Sequence, residues 1–194
     1  MRLIHAALAI ADISGYTEFI RKREISLLHA EKIIADLLGA VVDGAEHPLT
    51  LNKFEGDALL LYAEIDGDPG AVVRDVHQQA GRFFSSFRQQ QEQMKAMRAE
   101  CDCDACANIA QLSLKAFLHV GEVTIRQWRQ FTELAGEPLI LIHRLLKNHV
   151  PVREYLLMTD AFVRLGELQP GNVLEEDYTL SLHDALPIYR KSVV

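Results

Sequence analysis

Basic charge is scarce in this chain, with 20 Lys and Arg against 27 Asp and Glu and a formal net charge of −7 at pH 7. The basic residues are scattered, which excludes the phosphate-neutralising surface of a non-specific nucleic-acid binder. Any phosphorylated partner would then have to be gripped locally, a divalent cation being one means. Long apolar runs are also missing: no uncharged stretch approaches the roughly 20 residues of a membrane span. The apolar start runs straight into Asp12, as a cleaved signal peptide would not. A cytoplasmic protein with no membrane partner is the expectation. Cysteine is rare, with three residues confined to Cys101-Asp-Cys-Asp-Ala-Cys106. An odd number in one short segment is not a secreted disulfide framework.

What is present is ordinary globular material: 194 residues, 49% hydrophobic and 24% charged, enough for one domain with a sizeable core. Residues 3–11 read as a buried strand ending in the tight turn Asp12-Ile-Ser-Gly15. Residues 24–42 repeat apolar positions at helical spacing, and 71–99 form a longer helix with a polar end. Residues 49–54 and 58–64 are short strands around Glu55-Gly56-Asp57, a hairpin signal. Residues 112–120 alternate as a strand, and 121–125 continue it or begin its partner. A helix over 136–149, a strand over 154–158 and a helix capped by Thr159 complete the pattern. This order predicts an α+β fold, a mixed sheet with helices packed on one face.

Residues 1–165 are assigned to that domain and 166–177 to a C-terminal extension. Residues 179–188 resemble the translation of a common sequencing adapter, so about 178–194 are set apart from fold and function, His183 and Asp184 included.

Asp12 and Asp57 each end an apolar run beside a glycine. If the first strand and the hairpin lie side by side, with the 24–42 helix as the crossover, both carboxylates enter one site. They would be hard oxygen ligands for magnesium or manganese holding a nucleotide's phosphates. The plainer alternative is a turn cap at Asp12 and a loop residue at Asp57. Cys101, Cys103 and Cys106 allow a zinc site with Asp102, Asp104 or His119 as fourth ligand, a redox-sensitive cluster, or ordinary reduced thiols. His29, His47 and His77 read as surface or core-edge residues, His5 as a hydrogen-bonded core histidine, and Trp128 as a packing residue.

Ala11-Asp-Ile-Ser-Gly-Tyr-Thr17 followed by Lys53-Phe-Glu-Gly-Asp57 resembles the signature of the class III adenylate and guanylate cyclase catalytic domain. Phe117-Leu-His-Val-Gly-Glu-Val123 and Glu133-Leu-Ala-Gly-Glu-Pro-Leu-Ile-Leu-Ile-His-Arg144 are similar to later segments of that family, in the same order. The cysteine insert is similar to that of an uncharacterised bacterial cyclase-like branch. The resemblance implies a ferredoxin-like sheet and a head-to-tail homodimer with interfacial active sites. It implies that Asp12 and Asp57, with the Ile13 carbonyl, hold two magnesium or manganese ions. Lys53 and Glu133 would read the purine ring of ATP from the other protomer, and Arg144 would stabilise charge on the transferring phosphate. The implied reaction is ATP to cyclic AMP and pyrophosphate, a signalling activity. Ile140 departs from the pattern, standing where the family has an asparagine that positions the ribose, and Pro138 is unusual nearby. Losing one such contact typically costs on the order of 100-fold in rate, so a catalytically inactive nucleotide-binding module is the alternative.

Overall fold

The first strand, β1 (Arg2–Ser14), runs through the middle of the sheet and is buried along most of its length. The computed structural model describes residues 1–21, 27–98, 100–148 and 150–169, with the backbone of 173–174 and 191–192. After β1 come α1 (Tyr16–Ile20), α2 (Leu27–Asp43), β2 (Thr50–Glu55), β3 (Ala58–Glu64) and α3 (Pro69–Met97). Then follow α4 (Asp104–Ala107), a 3-10 turn (Ile109–Gln111), β4 (Ser113–Trp128), β5 (Phe131–Ala135), α5 (Glu137–Leu145), β6 (Tyr155–Met158) and α6 (Asp160–Leu165). The two-residue strands β7 (Val173–Leu174) and β8 (Lys191–Ser192) finish the sheet. The strand order is β2-β3-β1-β4-β6-β8-β7, and β5 pairs with β4. Among the described residues, only the β4–β6 pairing is parallel. Of the segment set apart at the sequence level, 178–190 and 193–194 lie outside the described residues.

The sheet buries both faces because β1 is apolar at odd and even positions alike. Ala7, Ala9, Ala11 and Ile13 face α2 and α3, whose Ile33, Leu37, Leu38, Val76, Phe83, Phe84 and Phe87 fill one layer. Small residues at the centre of β1 leave room for those phenylalanines. Ile4, Ala6, Leu8 and Ile10 face the other way, against Phe117, Leu134, Tyr155 and the Ile142 and Leu145 side chains of α5. The expectation of helices on one face therefore holds for α2, α3, α4 and α6, while α5 covers the second face. Asp68 begins α3 as expected of a cap, its carboxylate accepting from the backbone N–H groups of Gly70 and Ala71 at 3.0 and 3.3 Å.

The expected crossover is present: β1 pairs with β3 directly. Of the two alternatives for 121–125, continuation holds: residues 113–128 form the single strand β4, and β5 follows it as an unforeseen hairpin partner. Helix α5 stops at Leu145, short of 149, where the Asn148 side-chain amide donates to the Leu145 carbonyl at 2.7 Å. His5 lies on β1 but is exposed, as are Arg2 and Leu3 at the same end of the strand, and is not a core histidine. Trp128 is 62% exposed at the tip of the β4–β5 hairpin, with the Arg126 guanidinium 5.2 Å from its ring, and is not a core residue. No helix among the described residues is long and apolar enough to cross a membrane.

Candidate active site

Strand register places Asp12 opposite Ala58 of β3 on one side and Lys115 of β4 on the other. The β2–β3 turn reverses at Gly56, whose φ of +69° suits a residue without Cβ. The backbone N–H of Ile13 donates to the Asp57 carbonyl at 3.0 Å, clamping that turn to the end of β1. Gly15, at φ +92°, turns the chain away, and a Cβ there would meet the Gln111 carbonyl at 3.1 Å. The result is an open cleft of about 310 Å³ lined by residues 12–18, Asp57, Lys115 and Arg153.

Its electrostatics are set first by burial and then adjusted by neighbouring charges. Burial pushes the Asp12 carboxyl above its ordinary range, partly offset by Lys115, whose Nζ donates to Oδ2 at 2.6 Å. Burial also raises Asp57, and the charge of Asp12 raises it further. Tyr16 is raised by burial, with Glu31 and Asp57 adding repulsion. Arg153 adds a second cation at the rim, 3.4 Å from Glu18. Two converging carboxylates that repel each other fit a hard divalent cation, which would relieve that repulsion. Lys115 already supplies part of the relief.

The remaining expected site residues lie outside the cleft. Lys53 on β2 pairs with Glu55 at 3.1 Å, and Glu55 meets His143 Nε2 of α5 at 2.8 Å. His143 Nδ1 lies 2.7 Å from the Leu139 carbonyl. Both ring nitrogens thus face oxygen atoms. Burial alone would raise Glu55, but its partners His143 and Lys53 hold it below its usual range. Glu133 sits exposed on β5 opposite Arg126, and the Asn52 amide ties β2 to β5 by donating to the Thr132 carbonyl at 2.7 Å. Arg144 and Ile140 are both exposed on α5, Ile140 at 56%.

Sequence reasoning missed Lys115 and Arg153. The signal for Lys115 was its place on the same side of β4 as Phe117 and His119, both buried. A lysine facing a core needs an anion, and the register supplies Asp12. The cysteine segment was misread in its fourth partner. His119 is turned away, its Nδ1 2.9 Å from the Thr159 hydroxyl, and burial pushes its pKa down to about 4. His29 of α2, expected at the surface or core edge without ligand partners, meets Cys101, Cys103 and Cys106 instead, while Asp102 and Asp104 are not part of that group.

The family model described as "Protein of unknown function (DUF2652)" matches residues 34–155. The chain belongs to this family. An uncharacterized protein of Mycobacterium tuberculosis is 42% identical over 127 residues, covering 66% of this chain and 57% of that protein. The chain thus spans little more than half the length of that relative. In fold, the chain is similar to the crystal structure of a guanylyl cyclase, with a TM-score of 0.70 at 10% identity, covering 98% of this chain and 92% of that one. It is also similar to an adenylyl cyclase from Pseudomonas aeruginosa, with a TM-score of 0.66 at 13% identity, covering 100% and 96%. This member of the family therefore has the α+β fold of nucleotide cyclase catalytic domains.

Proposed function

We propose that the chain binds ATP with magnesium or manganese in the Asp12–Asp57 cleft and converts it to cyclic AMP and pyrophosphate. The observation that carries this reading is the convergence of the two aspartates at adjoining strand ends, on a cyclase fold. A divalent ion held by Asp12, Asp57 and the Ile13 carbonyl would acidify the ribose 3′-hydroxyl and screen the triphosphate. Lys115 and Arg153 would add fixed positive charge near the phosphates. The hydroxyl oxygen, its proton released to solvent, would then bond to the α-phosphorus as the bond to the pyrophosphate oxygen breaks.

Lys53, Glu133 and Arg144 lie outside the cleft, so the reading requires a homodimer in which a second copy brings them to the nucleotide. Exposed apolar side chains on the same elements support that surface: Phe54 on β2, Trp128 and Phe131 at the hairpin tip, and Ile140 on α5. Lys53 and Glu133 would read the adenine edge, and Arg144 would meet charge on the transferring phosphate.

Lys115 and Ile140 favour a second reading, a nucleotide-binding module without turnover. An internal ammonium on Asp12 reduces the charge available to metal ions, and Ile140 offers no hydrogen bond to a ribose. Incubation of the purified chain with ATP and manganese separates the readings. Cyclic AMP and pyrophosphate that vanish in Asp57→Ala establish the enzyme. Manganese-dependent ATP binding without product establishes the module, and absence of both overturns the nucleotide assignment.

A further inference from the structure

We propose that His29, Cys101, Cys103 and Cys106 bind one zinc ion that staples the segment between α3 and β4 onto the first turn of α2. The three sulfurs lie 3.3 Å (Cys103), 3.6 Å (Cys101) and 3.8 Å (Cys106) from a single atom, His29 Nδ1, which is 72 to 77 residues away in sequence. A ring nitrogen carries either one proton or one lone pair, so an ordinary hydrogen bond at Nδ1 accounts for one of these three contacts. A shared central cation accounts for all three. Zinc–sulfur bonds of about 2.3 Å and zinc–nitrogen bonds of about 2.0–2.1 Å, at tetrahedral angles, put nitrogen and sulfur about 3.6 Å apart and two sulfurs about 3.8 Å apart. The observed nitrogen–sulfur distances straddle that value, and all four ligand atoms lie within 4.8 Å of one another. The cysteines are free thiols, so no disulfide competes for the sulfurs.

Ligand type selects the metal. Three thiolates and an imidazole match closed structural zinc sites and disfavour magnesium or calcium, which take oxygen. Binding would replace three S–H bonds with metal–sulfur bonds and release the protons to solvent. Three thiolates on one dication leave a net single negative charge. Arg98 is placed to balance it, with one guanidinium nitrogen 3.9 Å from Cys106 Sγ and another 3.7 Å from Asp36 of α2. Such outer contacts orient ligands and temper their charge.

The staple also answers a packing question. Among the described residues between α3 and β4, the buried apolar side chains beyond Cys106 itself are Ala105, Ile109 and Leu112. So small a set holds a long insertion weakly, and a metal bound only by the folded chain adds its binding free energy to folding. The site stands apart from the aspartate cleft and does not depend on the nucleotide reading.

Metal analysis of the chain purified under reducing conditions tests the proposal. One zinc per chain is expected, released when a mercurial blocks the thiols. Cobalt substitution should give the intense d–d bands of a tetrahedral site together with thiolate-to-cobalt charge transfer. His29→Ala should lose stoichiometric metal, whereas His29→Cys should keep it and move the cobalt bands towards those of a four-sulfur site. A native chain without zinc, a cobalt spectrum lacking thiolate charge transfer, or full zinc retention in Cys103→Ser would each overturn the assignment. Should the cysteine variant not fold, the cobalt spectrum of the native chain decides alone.

Discussion

Replacing Lys115 with methionine probes the electrostatic logic of the cleft, because it keeps the aliphatic bulk and removes the ammonium group. Lys115 and Asp12 meet at 2.6 Å with side-chain exposures of 19% and 13%. Removing one partner of a fully buried pair costs roughly 3–5 kcal/mol, and partial solvation here lowers the expectation to about 1–3 kcal/mol. For a chain of this size, each kcal/mol moves the melting temperature by roughly 2–4 °C. Burial already holds the Asp12 pKa above its ordinary value of 3.8, and Lys115 is what pulls it back. Without that ammonium the folded-state pKa rises further. A raised carboxyl pKa means that the protonated form suits the fold, so the penalty is full at neutral pH and fades as acid protonates Asp12. Melting curves of Lys115→Met and the native chain should thus separate at pH 7 and converge as pH falls towards 4. Manganese should raise the melting temperature of the variant more than that of the native chain, since no internal cation competes for Asp12. Equal melting temperatures at neutral pH, with equal responses to manganese, would refute the assignment of Lys115 as an internal counter-ion.

Three other outcomes follow from named contacts. Ile140→Asn should raise the rate of cyclic AMP formation by up to about 100-fold if a ribose contact is what the native chain lacks; initial-rate assays with ATP and manganese measure it. Gly121→Ala should destabilise the fold by about 1–3 kcal/mol, because a Cβ there collides with the Pro138 ring where α5 crosses β4; denaturant titration reads the loss. Gln91, buried on α3, donates its amide to the Ile109 and Leu112 carbonyls at 2.9 and 2.8 Å. Gln91→Leu removes both donations, leaving the Ile109 carbonyl with the Leu112 backbone N–H at 3.2 Å as its remaining donor, and should cost roughly 1–3 kcal/mol, with faster hydrogen exchange around the 3-10 turn.

Much of the architecture was legible because it rests on local rules. The apolar run of β1, the helical spacing across α2 and α3, the Thr159 cap and the Glu55-Gly56-Asp57 turn each depend on neighbours a few residues away. The approach of Asp12 to Asp57 was also within reach, since one crossover helix between β1 and the hairpin leaves few arrangements. The second helical layer was harder to see, although a strand apolar on both faces implies it. Residue order and type thus determined the elements, the two buried layers and the acidic pair. Folding alone decided that Lys115 answers Asp12 and that His29 meets three cysteines from a distant loop. Those partnerships depend on strand register and on which helix turn faces the insert. Both are settled by burying the whole apolar surface at once, so no local window of sequence contains them.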